Sequence, residues 1–295
     1  MFEGYSVGVI TLLAINCIAG LGVSLFTGFT GVFTLGHAGY MAIGAYTAAI
    51  LTVEYGMHFV PAIILGGILA MIVAYLIGIP TLKLVGDYYT IASLGLGEAI
   101  RLVIENWQSL TRGARGYPGI DAYTTLPVAF GFFVVLAIGM FFLVNSSYGR
   151  AFKACRDDYV AASLLGFNTA HYRVLSLAIS GFYCGVAGGL LGGYMSFIQP
   201  IMFDMVKSTE LVSVVVFGGL GSMSGCLIGT TILTLITELF RPISQYRMLI
   251  YGLVLVLIMV LRPEGIMGTN ELTLSYIKGL FTRKKKNAAI EGGAQ

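Results

Sequence analysis

The chain alternates between long stretches without any Asp, Glu, Lys or Arg and short stretches where those residues gather. The charge-free runs are Gly4–Val53, Tyr55–Leu82, Ala122–Gly149, Val174–Phe203, Leu211–Thr237 and the shorter Met248–Leu261. A helix needs ~20 mostly apolar residues to cross ~30 Å of hydrocarbon, so these runs read as membrane spans. Gly4–Val53 has room for two, separated by a glycine-rich break near Gly28–Gly39. Asp87–Asn106 is a less regular span, interrupted by Glu98, Arg101 and Glu105. Leu211–Thr237 reads as a short descending piece, a turn at Gly218–Gly221 and a longer segment. The pattern predicts an all-α polytopic membrane protein of about nine segments, with roughly eight to ten compatible. Several of its helices are interrupted by glycine.

Composition narrows the class. Hydrophobic residues are 57% and charged residues 11%, against roughly 25% charged in a soluble domain. Mean hydropathy is +0.88, so lipid is the main solvent. A net charge of +3 gives no nucleic-acid signature and no acidic tail. The 40 glycines among 295 residues are about twice the usual share, without the strict period of collagen. Cys17, Cys155, Cys184 and Cys226 are far apart, with no metal-ligand spacing. The first apolar run has only Glu3 ahead of it, so a cleavable signal peptide is not expected.

Basic residues orient the chain. Arg150, Lys153, Arg156 and Arg173 share one connection, and Arg262, Lys278 and Arg283–Lys286 mark the C-terminal end. Both regions are expected in the cytoplasm. Nine segments then put the N-terminus outside, together with the loop Trp107–Asp121, although that loop carries Arg112 and Arg115. Gly181, Gly185, Gly189 and Gly193 recur every four residues, as do Gly221, Gly225 and Gly229. Such faces let helix backbones approach closely in lipid; one of them could also border a moving gate.

Enzyme chemistry is not legible. GxxxxGK[ST] and HExxH motifs are absent, and His37, His58 and His171 are widely separated. The most informative polar piece is Tyr148–Arg173. In it Arg156, Asp157 and Asp158 precede Ala161, Ala162, Leu164, Leu165 and then Gly166. A short helix with a small apolar face, stopped by Gly166, fits that order. Such a helix can dock into a groove on another protein or lie on the membrane surface.

The stretch Val160–Gly166 (VAASLLG) resembles the EAAxxxG loop of ABC importer permeases, with Val160 in place of the glutamate. Four further blocks, Thr27–Ala49, Pro80–Asn106, Val214–Gly229 and Arg247–Gly268, resemble the LivM-type permease of branched-chain amino acid ABC importers. The likeness runs from about Ile15 to Gly268. It implies a permease domain over residues 1–268, with a coupling loop at 148–173 and a cytoplasmic tail at 269–295, in the bacterial cytoplasmic membrane. It further implies a LivH-like second permease, LivG-like and LivF-like ATPases that hold ATP and Mg, and an extracytoplasmic amino acid binding protein. This chain itself would hold no cofactor or metal. Arg156, Asp157, Asp158, Ala161, Ala162 and Gly166 would couple it to the ATPases.

Gly-interrupted segments let backbone groups line a cavity, so Thr34, Gly36, His37, Ser93, Gly95 and Glu98 are candidate pathway residues. His37 could equally be a satisfied core histidine, and Glu98 could pair with Arg101 at i,i+3. Related permeases for urea, short amides or nucleosides share such blocks. An ion-coupled secondary transporter would need buried carboxylates, for which only Glu98 and Glu238 are available.

Overall fold

The computed structural model describes residues 2–84 and 86–239, with the isolated positions 252, 256 and 265. Helix α1 (Phe2–Val23) continues into a π-helical turn, Ser24–Phe29. It is followed by α2 (His37–Val53), α3 (Phe59–Thr81), α4 (Asp87–Asn106) and the single turn α5 (Gln108–Thr111). A short strand β1 (Tyr117–Pro118) precedes α6 (Leu126–Asn145), α7 (Ser147–Asp157), α8 (Tyr159–Leu164) and α9 (Thr169–Met195). Strand β2 (Phe197–Ile198) then leads to α10 (Met205–Gly218) and α11 (Met223–Leu239). The breaks fall where glycine and polar caps put them. His58 Nδ1 accepts from Val60 N, Asn168 Oδ1 from His171 N and Asp204 Oδ1 from Lys207 N, each serving an otherwise unpaired donor of a first helical turn.

The helix ends sort into two sides. On one, Tyr194 Oη donates to Gly8 O at 3.2 Å and β1 pairs antiparallel with β2. On the other, Thr90 Oγ1 donates to Phe33 O at 3.2 Å and Arg156 reaches Gly28. Helices α1, α3, α6 and α10 therefore run one way and α2, α4, α9 and α11 the other. The second side carries Arg150, Lys153, Arg156 and Arg173 and is the one the excess of basic residues assigns to the cytoplasm. The start of α1 falls on the opposite side. Among the described residues, four runs are long and apolar enough to cross a membrane: Tyr5–Phe29, Phe59–Thr81, Leu126–Asn145 and Thr169–Met195. The others are shorter or more charged and reach the same two sides as members of the bundle. The expected segment Met248–Leu261 and the tail 269–295 lie outside the described residues.

The protein is an all-α membrane bundle built around α1 and α9. Their apolar windows are 72% and 83% buried, against 39% for α3 and 17% for α6. Helices α2, α3 and α9 meet backbone to backbone. A Cβ on Gly66 would lie 2.7 Å from Gly44 O, one on Gly185 would lie 3.0 Å from Gly67 Cα, and one on Gly44 would land on the Gly185 backbone. The stripe from Gly181 to Gly193 is thus a packing face, set against Ala70 and Ala74 of α3, Ala48 of α2 and Tyr123. The second stripe divides. Gly225 and Gly229 close the α10–α11 hairpin against Gly218, while Gly221 sits in the turn before α11.

The outer connection is tied down by Tyr117, which is buried, donates to Glu54 at 2.9 Å and lies under the Arg112 guanidinium. Burial first, then the hydrogen bond and charge of Glu54, push the Tyr117 hydroxyl up to about 12. A raised acid keeps its proton longer when folded, so its stabilising contribution is complete below about pH 10, the ordinary tyrosine value. It is lost as pH rises toward 12. Thermal midpoints measured across that window are expected to fall for the native protein, and to fall less for Tyr117→Phe.

A cytoplasmic platform and the contacts beneath it

The connection between α6 and α9 folds into a compact platform. Asp158 Oδ1 accepts from Val160 N at 2.8 Å and Ala161 N at 3.0 Å, which starts α8. Gly166 ends it at φ +88, a conformation costly for any residue with a Cβ. The Tyr172 ring then gathers Tyr148, Phe152 and Phe167 within 6.4 Å, and Arg173 lies 5.1 Å above the Tyr159 ring. The platform is therefore braced by aromatic contacts.

The expected single apolar face is split. Ala162 is buried against the body of the protein, whereas Leu164 and Leu165 are 84% and 78% exposed and Val160 is half exposed. Ala161 and Gly166 are exposed beside them. The apolar surface presented outward is made by Leu164, Leu165 and Val160 rather than by the two alanines. Leaving such side chains uncovered is unfavourable in water.

Arg156 points the other way. It is half-buried, pairs with the exposed Asp157 at 3.0 Å and donates from Nη1 to Gly28 O at 3.5 Å. Lys153, one turn earlier, lies 5.6 Å over the Phe29 ring.

The candidate pathway residues also divide. Thr34, Gly36, His37 and Ser93 come together where α2 begins against α4. Leu35 N donates to Ser93 Oγ at 3.1 Å, and a Cβ on Gly36 would lie 2.5 Å from Ser93 O. His37 is fully buried with Nε2 2.6 Å from Ser180 Oγ, and its Nδ1 has no hydrogen-bond partner among the described residues. Gly39 and Gly97 bring the same two helices into close contact. The four residues thus form a sealed helix junction. Gly95 is exposed with open space around it. Glu98 pairs with Arg101, as the i,i+3 spacing anticipated, and Arg101 also binds Glu105 at 2.6 Å. His37→Ala is expected to leave the Ser180 hydroxyl buried without its partner, costing ~1–3 kcal/mol. The check is a lowered thermal midpoint of the detergent-solubilised protein.

A cleft of about 40 Å³ opens between α1, α10 and α11, lined by Asn16, Lys207, Glu210, Val214 and Thr234 among others. Lys207 Nζ pairs with Glu210 at 3.4 Å, and Asn16 Nδ2 donates to Thr234 Oγ1 at 3.4 Å. The sequence reading missed this cleft. The signal was an oppositely charged i,i+3 pair just ahead of a charge-free run. No group of three or more His, Cys, Asp or Glu suited to a metal occurs among the described residues.

The fold defines a multi-pass helical membrane bundle with a braced basic platform on one side. Residues 5–260 match the family described as branched-chain amino acid transport system / permease component, and the chain belongs to that family. It is 30% identical to the high-affinity branched-chain amino acid transport system permease protein LivM of Escherichia coli (strain K12), over 97% of this chain and 73% of that protein. The corresponding LivM of Salmonella typhimurium is 31% identical over 89% of this chain and 70% of its own length. LivH of Escherichia coli (strain K12) is 26% identical over 92% of this chain and 96% of its own. No solved structure matches the chain. It is a multi-pass membrane protein, and its relatives are transport components rather than enzymes.

Proposed function

We propose that this chain is the LivM-type subunit of an ATP-driven importer for leucine, isoleucine and valine. The observation that carries the reading is α8: a braced cytoplasmic helix, in a chain of the permease family, that offers Leu164 and Leu165 to an absent partner. Two cytoplasmic ATPases, LivG-like and LivF-like, would cover that surface and hold ATP and Mg. A LivH-like permease would complete the pathway, and an extracytoplasmic binding protein would deliver the amino acid. About nine spans, the last at Met248–Leu261, would return the C-terminal tail to the cytoplasm.

Alternating access needs a ligand that binds the two states differently, and ATP on the ATPase pair is that ligand. Closure of the pair would move α8, and the packed helices would follow as rigid bodies. The sealed α2–α4 junction would serve as a pivot. The cleft beside Lys207, Glu210 and Asn16 is the better candidate for passage, because it is accessible and sets those polar side chains among apolar walls. At its present size it holds about one water, so transport requires it to widen.

The test is reconstitution of the four membrane and ATPase subunits in proteoliposomes, with binding protein outside and ATP inside. ATP-dependent accumulation of labelled leucine is expected, with competition by isoleucine and valine. Accumulation driven by this chain alone, or uptake of urea, an amide or a nucleoside in place of leucine, would overturn the reading.

A further inference from the structure

Three sequence blocks that are far apart along the chain converge on one side chain, Arg156. Its stem fills the space beside Gly31, where a Cβ would lie 2.6 Å from Arg156 Cγ. Its Nη1 occupies the place a Cβ of Gly221 would take and donates to Gly28 O. Gly28 and Gly221 also touch, a Cβ on the first lying 2.9 Å from the second's nitrogen. Gly31 and Gly221 have φ of +74 and +90. Both positions therefore favour glycine for their backbone as well as for the space.

The walls of this notch are the two interruptions of the bundle: the π-helical turn that ends α1, and the turn between α10 and α11. Neither continues an α-helical ladder. The π-helical end is closed by the i→i−5 bond from Thr30 N to Leu25 O and the i→i−6 bond from Val32 N to Phe26 O. Single-turn π segments recur at functional sites in helices. An exposed ion pair with Asp157 alone would be worth little and does not account for an arginine inserted between two chain breaks. Arg156 also lies in the last turn of α7, with only Asp157 and Asp158 between it and α8.

We propose that Arg156 is a positioning residue that joins the platform to both breaks, so that one displacement of α7 reaches the end of α1 and the α10–α11 turn together. The inference rests on the importer reading for the source of that displacement. Because α1, α10 and α11 line the Lys207–Glu210 cleft, the linkage runs from the platform to the three helices whose separation would open it. Asp157 holds the guanidinium from its exposed side, and Lys153 over Phe29 is a second contact from α7 to the same π-helical turn.

The test uses the complete reconstituted importer and reads leucine moved per ATP hydrolysed. Arg156→Ala is expected to lower that ratio by about tenfold, the scale of losing one charge-assisted hydrogen bond, with subunits still co-purifying and hydrolysis continuing. Arg156→Lys keeps charge and stem but not the planar fork, and should fall between. Gly221→Ala strains the turn and expels the guanidinium. Combined with Arg156→Ala, its loss should fall short of the product of the single losses, because both break the same contact. A native ratio in Arg156→Ala, or losses that simply multiply, overturns the proposal. If Arg156→Ala does not assemble, the same cycle is run with Arg156→Lys. A native complex whose uptake ignores ATP would count against the importer reading instead.

Discussion

Replacing Leu164 and Leu165 together with aspartate is expected to abolish uptake and strip the ATPase subunits from the permease in detergent. Burying two leucines stabilises an interface by ~1.5–3 kcal/mol each, so losing both weakens the complex by about 100-fold or more. Two new carboxylates in an apolar groove add a desolvation penalty. Both side chains are largely exposed in the isolated chain, so its own thermal midpoint should stay unchanged. Size-exclusion chromatography with the ATPase pair reads the loss. Undiminished co-elution of the double variant would show that the ATPases dock elsewhere. Ala162→Asp, at a buried position of the same helix, should instead lower the thermal midpoint of the chain itself.

The second large effect lies in the bundle. Gly185→Leu should yield no folded protein, because even a Cβ there meets Ala70, Gly67 and Gly66 at 2.7–3.2 Å. Two of those neighbours are glycines, with no side chain to move aside. Overpacking typically costs ~1–3 kcal/mol when neighbours can shift, and here whole helices must part. Gly95→Leu adds the same side chain where nothing lies within 4 Å and should remain monodisperse. Leucine also favours helix over glycine by roughly 1 kcal/mol. Equal yields of the two variants would refute the packing account.

Charge spacing made most of the fold legible before any coordinates. Asp87–Asn106 emerged as α4 with those bounds, and the Gly218–Gly221 turn separates α10 from α11 as expected. Glycine periodicity told which face of α9 is packed but not against what, since a stripe of small residues fits any close neighbour. The platform was partly legible. Gly166 and the short helix before it were in the sequence, but whether Ala162 or Leu164 faced inward depends on how α7 and α9 flank them. The pathway candidates were chosen as polar groups beside glycine. That pattern marks both a lined cavity and a sealed junction, and in this structure Thr34, Gly36, His37 and Ser93 are buried together at the α2–α4 contact. The meeting of Arg156 with Gly28, Gly31 and Gly221 had no local signature at all, because it joins residues up to 193 positions apart across three connections.

The central place of α1 bears on how the protein is made. Helix α1 is enclosed by α6, α9, α10 and α11, of which α11 begins only at Met223. At ~5–20 residues per second, on the order of ten seconds or more separates its emergence from that of α11. During that interval Asn16 and the glycine faces of α1 must rest against lipid or the insertion machinery. Biogenesis of this permease therefore depends on α1 being apolar enough to wait in the bilayer, yet polar enough at Asn16 to bind Thr234 when α11 arrives.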